Sequence, residues 1–239
     1  MKIIKNNQMT ADCDTIIIPI DGKFNITCPL SENVSAVINA AIKSNLFKGS
    51  CGEIYTFSSF QNSKILNILL LGLGEDDKAA NRDIFIAFSK AFSACKSLKS
   101  INIRVLLDNA KNICSNYSMV EKICESTLLA NYEFNNYKTD AKENTVERIE
   151  FETSFERFDE ALNEAMICGE STIIARNLIN QPPMVMTPAQ LAEEAKMIGK
   201  EYNIQVIAIG KEEAEKLGMN AFLAVGKGSV NTPKLIVMR

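Results

Sequence analysis

Three short apolar runs are separated by long amphipathic stretches, and this alternation limits the folds open to the chain more than any other feature. Asp14–Ile20 (DTIIIPI), Lys64–Leu73 (KILNILLLGL) and Ile101–Leu107 (INIRVLL) have the length and β-branched content of buried strands. Between and after them, 31–47 carries Val34, Val37, Ile38, Ala41 and Ile42 at helical spacing. Residues 79–98 do the same through Ile84, Phe85, Phe88, Ala91, Phe92 and Cys95, and 119–134 reads as a third helix. Residues 52–58 (GEIYTFS) alternate weakly, with Ile54 and Phe57 as the inward positions. Strands alternating with helices of this length build βαβ units around a mostly parallel or mixed sheet.

Residues 138–160 change character. The run is rich in charge, mostly acidic, and Ile149 and Phe151 mark one short strand inside it. Its first half reads as an exposed connection and a domain boundary, giving domains at 1–150 and 151–239. A further helix is expected over 155–179, with Ala161, Ala165, Cys168, Thr172, Ala175 and Ile179 on one stripe.

Pro182 and Pro183 then stop the helix by Asn180 or Gln181, because proline lacks an N–H and restricts the residue before it. After a short extended segment Thr187 restarts a helix as N-cap. Pro188 occupies N1, Gln190 completes a capping box, and Met186 and Leu191 take the hydrophobic-staple positions. That helix runs to about Tyr202. A strand at 204–209, a short helix at 211–217, a short strand at 221–225 (AFLAV), a GKGSVNTP loop and a last strand, KLIVM, complete the reading. An α/β unit of this kind normally continues with helices over its second face, so 151–239 reads as the opening of a domain.

Composition narrows the chemistry. There is no histidine, which excludes a Ser-His-Asp triad, a Cys-His pair and a His-ligated zinc site within these residues. Seven cysteines without CxxC spacing make neither a disulfide framework nor a zinc ribbon, and read as small buried hydrophobes. A net charge of −3 gives no electrostatic case for nucleic acid. No run approaches the roughly 18 apolar residues of a membrane span, and the first residues lack a signal-peptide core; a cytoplasmic protein is expected.

Two glycine motifs invite a phosphate-binding reading and fail it. Gly72-Leu73-Gly74 has Asp77 where a dinucleotide fingerprint needs its third glycine, and Glu75, Asp76 and Asp77 would repel a pyrophosphate. A tight turn leading into a helix is expected instead. Gly226-Lys227-Gly228-Ser229 lacks the leading glycine and spacer of a P-loop, and Pro233 opposes a following helix. Arg176 is accounted for by the favourable placing of a cation in a helix's last turn, with a buried salt bridge or an interdomain role as the second option.

Residues 175–195, ARNLINQPPMVMTPAQLAEEA, resemble the segment that opens the catalytic domain of leucyl aminopeptidases, the M17 cytosol aminopeptidase family. LGMNAFLAVGKGSVNTPKLIVMR, ILLLGLGEDD and ANYEFNNYKTD are similar to further family segments in the same order. Met184 stands where the family usually has Asn. The resemblance implies a macro-domain-like N-terminal α/β domain followed by the first part of an α/β metallopeptidase domain. It implies a hexameric enzyme that releases N-terminal residues, leucine among them, from peptides with two divalent cations, manganese or zinc. The family's metal-binding motifs, GKG-x-x-[FY]-D-[ST]-G-G and NTDAEGR, do not occur in this sequence, and Lys227 matches an earlier motif. No catalytic, cofactor-binding or metal-ligating residue is therefore assigned within 1–239, no metal is expected bound to it, and the stretch alone is expected to be inactive. The competing expectation is a non-catalytic macro-like binding or regulatory module for a nucleotide-like ligand or DNA.

Overall fold

A computed structural model describes residues 1–6, 13–24, 26–61, 63–75, 80–114, 116–140 and 145–239. The chain divides into two compact units, Met1–Ile173 and Ile174–Arg239. A boundary at 150 would fall inside a strand, so the expected 1–150 and 151–239 division does not coincide with these units.

The first unit is a six-stranded mixed sheet covered on both faces. Its strands are β1 (Lys2–Lys5), β2 (Thr15–Asp21), β3 (Ile54–Gln61), β4 (Lys64–Gly74), β5 (Asn102–Leu106) and β6 (Arg148–Glu152), in the order β1-β6-β5-β2-β4-β3. All neighbours are parallel except β3, which pairs antiparallel with β4. The helices are α1 (Glu32–Lys43), α2 (Asn81–Ser97), α3 (Tyr117–Asn131) and the first turns of α4 (Phe158–Ile179).

Side chains alternate across the sheet with period two, and each set finds its own helices. Ile17, Leu69, Leu71, Leu73, Ile103 and Val105 pack with α2, α3 and α4. Ile18, Ile20, Ile68 and Leu70 pack with Val34, Ile38 and Ala41 of α1 and with Phe47. Because both faces are covered, the interior strands read as continuous apolar runs. Ile54 and Phe57, three residues apart, join opposite clusters. On α2 the stripe is as expected, except that Phe85 is half-buried and Ala87 takes an inward place. Phe88 and Phe92 are fully buried there, each contributing on the order of 2 kcal/mol by burial.

The expected small-residue stripe of α4 holds only in part. Its buried residues are Phe158, Ala161, Ala165 and Gly169, while Cys168 is exposed. Spacing of three, four and four turns the buried face onto Gly169, where an added Cβ would stand 3.4 Å from the Cβ of Leu128 on α3. Three cysteines (95, 114 and 124) are buried, 13 and 28 are half-buried, and Cys51 is exposed along with Cys168.

Gly72 and Gly74 do not form a turn. Both lie in β4, and the amide of Gly74 donates to the carbonyl of Gly49 at 2.9 Å. Backbone crosses Gly72 closely enough that a side chain there would strike residues 49 and 50. Asp76 and Asp77 lie outside the described residues.

In the second unit α5 (Pro188–Tyr202) packs on a two-stranded antiparallel sheet of β7 (Val206–Ile209) and β8 (Leu235–Met238). Gly199 lets the helix approach, since a Cβ there would stand 2.7 Å from the carbonyl of Ile204. Asn203 ends α5 in the left-handed region at φ 55°, a role asparagine tolerates. The short helix α6 (Lys211–Lys216) is followed by another, α7 (Asn220–Gly226). The strand expected at 221–225 is thus corrected to helix. Five apolar residues do not by themselves distinguish the two, alanine favours helix, and β7 and β8 pair with each other.

Candidate functional site

The Pro-Pro break is built from local rules. The helix α4 ends at Ile179, and the carbonyl of Pro182 accepts the amides of Val185 (2.8 Å) and Met186 (2.9 Å). The link is therefore a turn and not the extended segment expected, because the prolines fix φ while their carbonyls stay free to accept. Thr187 caps α5 by accepting the Gln190 amide at 3.3 Å, with Pro188 in the first turn. The other half of the capping box is not formed: the Thr187 amide donates to the Val185 carbonyl at 3.1 Å, and the Gln190 side-chain amide donates to Glu194 at 3.1 Å. Met186 and Leu191 line one shallow depression of about 340 Å³ with Leu178, Ile179, Gln181 and Pro183. Arg176 sits half-buried in the last turn of α4, and its carbonyl accepts the Asn180 amide at 2.9 Å.

A larger concavity, about 520 Å³, lies between α6, α7 and the 226–233 loop, with Lys211, Glu215, Asn220, Lys227 and Asn231 on its walls. Lys227 follows the end of α7. A phosphate cradle needs a helix starting after the glycine loop; here a helix ends at it. The GKGS letters therefore carry no nucleotide site.

In the first unit the carboxyl ends of β2 and β5, where α/β folds usually bind ligands, are tied to their own loops. Asn109 donates to the Pro19 carbonyl at 2.7 Å and accepts the Thr27 amide at 2.8 Å. Asp108 accepts the Ser154 amide at 2.8 Å and the Thr153 hydroxyl at 3.1 Å. Sequence reading missed a further polar feature, the buried Glu150 carboxylate, which takes Arg148 at 2.5 Å and Arg104 at 3.5 Å. Its trace in the sequence is Arg104 interrupting INIRVLL, facing Glu150 in the parallel register. Both are 7 % exposed, so the cluster reads as an internal staple of β5 and β6.

Among the described residues no three or more Cys, Asp or Glu side chains stand together as a metal site would require. No described helix is long and apolar enough to cross a membrane.

Comparison with known proteins bears on this arrangement directly. The profile of the cytosol aminopeptidase family N-terminal domain matches residues 28–141, and that of the family's catalytic domain matches 173–239. The chain belongs to the cytosol aminopeptidase family. A probable cytosol aminopeptidase of Clostridium perfringens is 36% identical over 99% of this chain and 48% of its own length. The Clostridium tetani relative is 35% identical over 81% of this chain and 40% of its own. The chain thus spans about half the length of the curated relatives it matches. A tomato leucine aminopeptidase mutant shares the fold over 100% of this chain and 50% of its own, at TM-score 0.82 and 24% identity. A bottromycin maturation enzyme in complex with manganese does so over 94% and 44%, at TM-score 0.73 and 17% identity. In family terms, the Pro-Pro turn and the capped start of α5 fall near the beginning of the catalytic-domain match, and the boundary between the compact units falls at its first residues.

Proposed function

We propose that the parent protein is a leucyl-type metalloaminopeptidase that removes N-terminal residues from peptides, and that residues 1–239 are its front part. The two family profiles, matching in order along one chain, carry this reading. In it, the residues through β6 form the macro-like N-terminal domain, α4 is the linking helix, and the residues after α4 open the peptidase domain. The Pro-Pro turn and the Thr187 cap set the direction in which that domain begins. A cytoplasmic homo-hexamer completes the proposal.

Family membership, and the manganese held by the bottromycin enzyme, support use of divalent cations by the parent. The residues described here do not fit such a site: no carboxylate or thiolate group of the needed size is assembled, and Lys227 stands on the wall of a loop concavity. No catalytic step is therefore assigned to this stretch. The segments that hold metal are proposed to follow residue 239.

The test is hydrolysis of leucine anilide with added manganese, by the full gene product and by residues 1–239. The expected result is turnover by the first and none by the second. Turnover by 1–239 would refute the placement of the metal site, and an inactive full-length protein would refute the peptidase reading.

A further inference from the structure

We draw no further inference here: the strongest candidate, the shallow apolar depression beside the Pro-Pro turn of the second unit, lined by Leu178, Ile179, Pro183, Met186 and Leu191, carries none because nothing in the structure shows what covers it.

Discussion

Replacing Gly72 by alanine should cost the first unit several kcal/mol, and the structure fixes why. A Cβ at Gly72 would stand 2.6 Å from the carbonyl carbon of Gly49 and 2.8 Å from its oxygen, and nearer still to the Ser50 carbonyl. All three obstacles are backbone, so no rotamer change relieves them. The 49–53 segment would have to move, and it is tied to β4 by three bonds: Gly52 amide to Gly72 carbonyl, Gly72 amide to Glu53 carbonyl, and Gly74 amide to Gly49 carbonyl, each 2.9 Å. Overpacking alone costs about 1–3 kcal/mol. Losing two of these bonds adds roughly 1 kcal/mol each. The expected total is about 3–5 kcal/mol, a large share of a typical domain's 5–15. Urea titration of residues 1–239, followed by circular dichroism and by exchange in β4, measures it. Gly228→Ala is the control, because nothing lies within 4 Å of a Cβ there. A cost below about 1 kcal/mol for Gly72→Ala would refute the close crossing.

Thr187→Ala should cost about 1 kcal/mol through loss of the cap on α5, and Thr187→Ser far less; melting followed at 222 nm compares them. Glu150→Gln removes the carboxylate between two guanidinium groups and should destabilise the first unit by about 3 kcal/mol in urea, with little effect on exchange in α5. Burial pushes the Cys95 thiol up to about 12 and Cys28 up to about 11 from an ordinary 9.0. Unfolded chains therefore lose these protons first as pH rises, so the stability the neutral thiols hold below pH 9 declines between 9 and 12. The urea midpoint should fall from about pH 8 to about pH 10, less steeply in Cys95→Ala. Titration with ADP-ribose and with duplex DNA should show no saturable binding at moderate salt, given the self-tied loops at the carboxyl ends of β2 and β5 and the net charge of −3.

Much of the fold was legible because local and global preferences agree along it. The runs at 14–20, 64–73 and 101–107 are apolar on both faces, and the sheet they form is covered on both faces. The stop at Ile179 and restart at Thr187 follow from proline chemistry and a cap, and both appear where the residues place them. The misreadings lie where short signals depend on distant partners. AFLAV reads as a strand from its apolar run alone, yet it lies in helix α7, while β7 and β8 pair with each other. Gly72 and Gly74 suggested a turn because a glycine's need for room looks the same whether the backbone bends there or another segment crosses it. Cys168 was placed inward by a spacing that drifts one position over two turns, where Leu128 selects Gly169 instead. The candidate site was legible as a family segment, while its chemistry was not, because the residues that meet at 174–239 line shallow concavities and assemble no metal-binding set.

The most direct test of the central claim, that these residues are the front part of an aminopeptidase, is the intact mass of the native gene product taken from its own cells. The account predicts a mass well above 26.4 kDa, with the peptidase's metal-binding segments after Arg239. An unprocessed product of 26.4 kDa would contradict it and leave a protein of this family working without the family's metal site.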